Sequence, residues 1–272
     1  MADAKAASID LRWQPGFGAT AVICVLLLYV PILLLAIYSF NANNVITQWS
    51  GFSTAWYGEA WNNQEFRDAA RNTITITVAA TLISTLVATA AAIATTRTRA
   101  WRGQRAAYVV INLPLMVPEI VTAVASLSFF ALLAALFKLN FGIGNLILVH
   151  TVFCIPFAYM PIRARLEDMN LTLEQAAADL YAPPWAVFRR VTLPLLLPGV
   201  TAGAALAFIV SFDDFTITQL VAGPGQTTLP LYIWSQLRRP LTPELNAMST
   251  ILLAISILFV ATSFLIANRR RK

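Results

Sequence analysis

The sequence predicts an all-α integral membrane protein with six transmembrane helices. Three observations carry that expectation. Of 272 residues, 58% are hydrophobic and only 12% charged, with a mean hydropathy of +0.68, whereas about a quarter of an ordinary soluble domain is charged. Apolar runs of about 20 residues, the length that crosses a hydrocarbon layer of roughly 30 Å, recur six times. The basic residues fall in short clusters between those runs and not along one solvated face. The net charge of +6 therefore reads as a membrane-topology signal, and nucleic acid is not expected as a partner.

Residues 1–16 form a short N-terminal segment. The first apolar run, Phe17 to Phe40, is too long for the core of a signal peptide and lacks a small-residue cleavage site after it, so it reads as a retained span. Further spans are expected at 73–94, 108–137, 143–162, 195–212 and 247–267. Together they make one membrane domain over 17–267, followed by the basic tail 268–272. With the N-terminus inside, fourteen of the nineteen basic residues fall on the cytoplasmic side: Lys5, Arg12, Arg97, Arg99, Arg102, Arg105, Arg163, Arg165, Arg189, Arg190, Arg269, Arg270, Arg271 and Lys272. Cytoplasmic loops retain excess Lys and Arg, so both termini are expected inside and residues 41–72 outside. Trp49, Trp56, Tyr57 and Trp61 in that outer segment read as an interfacial belt. Cys24 and Cys154 lie singly inside apolar runs and read as core packing, with no disulfide framework and no CxxC pair.

The longest cytoplasmic connection, Arg163 to Pro194, carries an apolar stripe. Leu173, Ala176, Ala177, Leu180, Pro184, Val187, Phe188 and Val191 recur at helical spacing. Tyr181-Ala182-Pro183-Pro184 breaks the pattern, because the residue before a proline is pushed out of helical geometry while proline suits a first helical turn. A helix-turn-helix outside the membrane is predicted. Its apolar face suits either the rest of the bundle or a groove in a partner, and the spacing leaves both open.

The wording of this connection resembles a known family. Gln175-Ala176-Ala177-Ala178-Asp179-Leu180-Tyr181-Ala182, followed by Val191-Thr192-Leu193-Pro194, is similar to the EAA motif of bacterial ABC importer permeases of the type I fold. Tyr38-Ser39-Phe40-Asn41, Thr54-Ala55-Trp56-Tyr57, Phe212-Asp213-Asp214, Val221-Ala222-Gly223-Pro224-Gly225 and Leu229-Pro230 extend the resemblance to the second permease subunit of spermidine/putrescine importers. The resemblance implies a bacterial inner-membrane permease with a coupling element that docks on a cytoplasmic ATPase. Glu174, Gln175, Ala176, Ala177, Asp179, Leu180, Tyr181, Phe188, Leu193 and Pro194 then belong to that contact. It also implies a second permease subunit of different sequence, two ATPase subunits, a periplasmic binding protein and a small cationic substrate. Two departures stand out. The motif's leading acid is Gln175, with Glu174 one position earlier, and its turn glycine is Tyr181. Either that turn is built differently or it carries strain of order 1 kcal/mol.

The three lysines, Lys5, Lys138 and Lys272, lack the Gly-Lys-Ser/Thr context of a phosphate-binding loop. No cofactor is therefore expected in this chain, with ATP and Mg²⁺ held by the partner ATPase. The single histidine, His150, reads as buried and hydrogen-bonded. Glu119, Asp213 and Asp214 are the acids in or near the spans. A charge in a membrane interior faces a cavity or a partner, and the resemblance places Asp213 and Asp214 on the substrate pathway, with Glu119 expected near the middle of the third span. An importer for another small solute, an embedded enzyme and a passive channel stay open as alternatives.

Overall fold

The computed structural model describes residues 17–45, 48–98, 101–139, 141–238 and 242–269. The segment 1–16 and the end of the basic tail lie outside these residues. Six helices are long and apolar enough to cross a membrane: α1 (Phe17–Tyr38), α3 (Gln64–Thr96), α5 (Glu119–Phe137), α6 (Ile143–Asp168), α9 (Leu193–Phe212) with the short α8 (Pro184–Val187) leading into it, and α12 (Pro243–Arg269). Shorter helices join them: α2 (Ala55–Asn62), α4 (Gln104–Met116), α7 (Thr172–Asp179), α10 (Thr216–Val221) and α11 (Leu229–Gln236). Among the described residues the only extended pairing is a bridge between Asn41 and Phe52.

The core is a three-helix contact of α3, α6 and α9, made by small residues. Ala88 and Ala92 of α3, Cys154 and Ala158 of α6, and Ala207 of α9 are all fully buried in one cluster. Lipid tails are as apolar as leucine, so helices in a membrane associate through close packing more than through the hydrophobic effect. Gly203 illustrates the closeness, because a Cβ there would stand 2.6 Å from the carbonyl oxygen of Ala158. Gly199, one turn earlier, would put a Cβ 2.6 Å from Cβ of Arg165.

Three expectations are corrected. The third apolar run is two helices: Val117 is extended (φ −92, ψ 134) and Pro118 caps α5. Pro118 has no N–H to donate and forces Val117 out of helical geometry. Glu119 is consequently the first residue of α5, not an interior position of one continuous helix. Helix α3 begins nine residues before the expected Thr73, capped by the Asn63 side chain, which accepts from the Phe66 N–H at 3.2 Å. Its first turns tie down the distant 222–232 segment: Asn72 donates to the carbonyls of Gly225 and Thr227, and the Leu229 N–H donates to Thr73 Oγ1 at 2.7 Å. Cys24 is exposed because none of α1 is buried, and that helix touches the rest chiefly through α12. Trp56 and Tyr57 tie the segment after α1 together, the indole donating to the Asn41 carbonyl at 2.7 Å and the phenol pairing with Ser39 Oγ at 2.6 Å.

Candidate functional site: the two ends of helix α9

The expected helix-turn-helix is present at the basic end of α9, in altered form. Helix α7 ends at Asp179, Tyr181 takes a left-handed conformation (φ +60), and Pro183 and Pro184 start α8. The left-handed position is where glycine is favoured, so the turn is the glycine-type turn built with tyrosine. After one turn of α8, residues Phe188–Thr192 widen into a π-turn that runs directly into α9. The Leu193 N–H bonds to the Phe188 carbonyl, five residues back. Pro194 can donate to nothing, so the α-helical pattern is interrupted at this position.

Glu174 fastens α7 to this junction. Its Oε1 accepts from Thr192 Oγ1 at 3.0 Å and lies 3.7 Å from Nε of Arg97, at the end of α3. Ala177 and Phe188 are half-buried, and Gln175, Ala176, Asp179 and Pro194 are exposed. Leucine 193 is half-buried. The apolar tip stands free: Leu180 is 82%, Tyr181 97% and Trp185 69% exposed. Trp185 stacks on Phe188 with ring centroids 5.6 Å apart. Sequence reasoning missed Trp185, although a tryptophan directly after Pro-Pro at a helix start was a signal for it.

The three candidate acids meet at the other end of α9, where α5 packs against α10. Asp213 follows the last residue of α9 and is exposed. Asp214 is 6% exposed and surrounded by donors. It accepts from the N–H of Ile217 at 3.2 Å, the N–H of Thr218 at 3.0 Å and the Thr218 hydroxyl at 2.9 Å. Nε2 of His150 is 3.4 Å away. Asp214 thereby caps α10, satisfying amides that a helix start leaves free. His150 is buried, as expected, with Nδ1 2.9 Å from Ser211 Oγ and Nε2 3.3 Å from Thr218 Oγ1. Glu119, half-buried, starts the helix that packs against α10 and interacts with Asp214 and Thr216. Residues about ninety-five positions apart are thus joined in one acidic cluster, with His150 behind it.

A larger opening lies elsewhere. A cleft of about 760 Å³ is lined by Glu65, Asp68, Arg71, Asn72 and Tyr232, at the end of α3 opposite the basic one. A neighbouring cleft of about 580 Å³ adds Gln236 and Glu244. Neither is lined by Glu119, Asp213 or Asp214.

Comparison with known proteins places this geometry. Residues 84–270 match the family described as the binding-protein-dependent transport system inner membrane component. The chain is 35% identical over 248 residues to the putrescine transport system permease protein PotI of Escherichia coli strain K12, covering 90% of this chain and 88% of that one. It is 36% identical over 245 residues to the spermidine/putrescine transport system permease protein PotC of the same strain, covering 90% and 91%. Among solved structures, a bacterial ABC transporter that imports the acidic polysaccharide alginate matches with a TM-score of 0.68 at 18% identity, over 93% of this chain and 94% of that one. The MetNI methionine ABC transporter in inward-facing form matches with a TM-score of 0.63 at 17% identity, over 74% and 94%. At these identities the structural likeness is one of fold. The six apolar helices, the motif-bearing connection and these relatives agree that the chain is a permease and not an enzyme, and that it belongs to the binding-protein-dependent transport system inner membrane component family of ABC importers.

Proposed function

We propose that this permease forms one half of the channel of a polyamine importer. The observation that carries the reading is the convergence of Glu119, Asp213 and Asp214 at the junction of α5, α9 and α10. Carboxyl groups in a membrane interior are costly and commonly mark ion or substrate paths, and an acidic path suits a multiply charged amine. The relatives named for putrescine and spermidine transport support the same cargo. The roles differ within the cluster. Asp214 holds α10 in place, while Glu119 and Asp213 are the carboxyls left to meet substrate.

The proposed assembly contains this chain, a second permease subunit of different sequence, two cytoplasmic ATPase subunits and a periplasmic binding protein. ATP and Mg²⁺ belong to the ATPase, and both termini of this chain face the cytoplasm of the bacterial cell. The exposed tip of Leu180, Tyr181 and Trp185 is the ATPase contact, because large apolar side chains grouped on an exposed turn fit the helix-in-groove mode of recognition.

Uptake of radiolabelled putrescine and spermidine by the reconstituted complex tests the cargo, with an amino acid and an inorganic anion as comparison solutes. Glu119→Gln keeps the size and hydrogen bonding of the side chain while removing its charge, and it is expected to lower polyamine uptake at least tenfold with assembly intact. Unchanged uptake in Glu119→Gln and in Asp213→Asn would end the cation-path reading. Orientation has its own test. A reporter that is active only after export, fused after Lys272, is expected to stay silent, and activity there would invert the topology.

A further inference from the structure

A second polar site lies at the basic end of the bundle. A cleft of about 440 Å³ between the ends of α3, α4 and α6 is lined by Thr95, Gln104, Arg105, Tyr108, Val109 and Arg163. That volume falls within the range of small-ligand sites, about 300–1,000 Å³. Arg163 is held in place: its guanidinium carbon lies 4.6 Å from the centre of the Tyr108 ring, and its Nε donates to Glu167 Oε1 at 2.7 Å. Arg105 is exposed and makes no ion pair among the described residues. Arg97, on the neighbouring end of α3, is turned toward Glu174 and does not line the cleft. Arg105 and Arg163 set against Glu167 leave one uncompensated positive charge at the cleft. Gln104 and Arg105 also belong to the first turn of α4, where the helix dipole favours an anion.

The surroundings identify the anion's carrier. Val109, Val110 and Met160 are exposed apolar side chains on α4 and α6, close in sequence to the lining residues Tyr108 and Arg163, and Trp101 is exposed beside the start of α4. Aromatic rings at helix ends favour the headgroup level of a bilayer, with apolar side chains deeper along the helices meeting acyl chains. Basic pockets between membrane helices on the cytoplasmic side suit anionic headgroups. We propose that the cleft lined by Arg105, Tyr108 and Arg163 binds the headgroup of an anionic glycerophospholipid, with a singly charged phosphodiester matching the single excess positive charge. The site is separate from the acidic cluster, and its test uses no uptake measurement, so it stands or falls independently of the cargo.

The purified complex, exchanged into detergent with equal amounts of phosphatidylglycerol and phosphatidylethanolamine, is analysed for retained lipid by native mass spectrometry. The wild type is expected to retain phosphatidylglycerol at least fivefold over phosphatidylethanolamine. Arg105→Gln is expected to abolish that preference, while Arg102→Gln, an exposed arginine that does not line the cleft, leaves it intact. Equal retention of the two lipids by the wild type, or equal loss in both variants, would overturn the proposal. Displacement of the lipid by millimolar inorganic phosphate would overturn it in favour of a site for the free anion. Arg105 is exposed and its side chain makes no hydrogen bond or ion pair among the described residues, so its substitution does not confound binding with folding.

Discussion

The two ends of α9 are built on opposite plans. At the Phe212 end the polar groups are completed within the chain, where Asp214 takes two backbone N–H groups and a hydroxyl and lies against His150. At the Leu193 end the polar fastening is a single carboxylate, Glu174, and beyond it Leu180, Tyr181 and Trp185 stand almost bare. A buried charge without partners costs several kcal/mol, so a carboxylate in the interior must be satisfied in every state of the protein. Exposed apolar side chains carry a smaller penalty in the free chain and gain from being covered. The first end is therefore a fixed element around which a pathway can be arranged, and the second is, in the proposed assembly, the surface that another subunit completes. Between them α9 is locked against α6 by Gly199 and Gly203, which makes it a stiff connection from one end to the other.

Removing the fixed element is expected to have the largest effect. Asp214→Ala deletes a helix cap and leaves the buried N–H groups of Ile217 and Thr218 unanswered, a loss of about 3 kcal/mol when cap and desolvation are combined. Denaturant titration of the purified chain should register that loss. Asp214→Asn keeps one acceptor oxygen and should lose about half as much. A stability equal to wild type in Asp214→Ala would mean that the carboxylate is not structural, and would return it to the pathway beside Glu119.

Breaking the other end is expected to leave the fold untouched while severing assembly. Leu180→Asp places a charge on a side chain with almost no internal contact, and Ala177→Arg adds bulk to the half-buried face of α7. Both should weaken association with the ATPase at least a hundredfold, about 2.7 kcal/mol, in a pull-down or titration with the isolated ATPase. Denaturant stability should stay within about 0.5 kcal/mol of wild type in Leu180→Asp, as is usual for exposed substitutions. Unaltered ATPase binding in Leu180→Asp would show that the bare tip is not the contact.

These contrasts separate what hydropathy and spacing reveal from what they hide. Length and apolarity located α1, α6, α9 and α12 well, and periodicity with the double proline located the turn at 181–184. Hydropathy is blind to backbone continuity, however. Residues 108–137 read as one span because Val117 and Pro118 are as apolar as their neighbours, and only the proline rule marks the break that moves Glu119 to a helix start. The first turns of α3 escaped for the opposite reason. Residues 64–72 are polar, and polarity alone does not distinguish a loop from a helix projecting beyond the hydrocarbon. Cys24 looked like core because an apolar run has no sidedness in composition. The acidic cluster was legible as a set of residues but not as a site, since the approach of Glu119 to Asp214 is made by the packing of α5 on α10, a contact between segments far apart in sequence.

The smallest expected effect sharpens the comparison most finely, because it concerns strain and not contacts. Tyr181 holds a left-handed backbone (φ +60) while its side chain is 97% exposed, so its ring contributes almost nothing to the isolated chain. A left-handed conformation costs a non-glycine residue of order 1 kcal/mol, partly offset on substitution by the greater freedom that glycine gives the unfolded chain. Tyr181→Gly is therefore expected to stabilise the α7–α8 turn locally by up to about 1 kcal/mol, read as slower amide exchange in residues 172–187. Global stability should not change. If the ring is instead held for the partner, the same variant should bind the ATPase less tightly despite its more relaxed turn. Slower exchange together with weaker binding would identify Tyr181 as a residue kept for contact at the expense of its own backbone. Slower exchange with unchanged binding would leave the tyrosine without a role in docking, and exchange that is unchanged or faster would refute the strain itself.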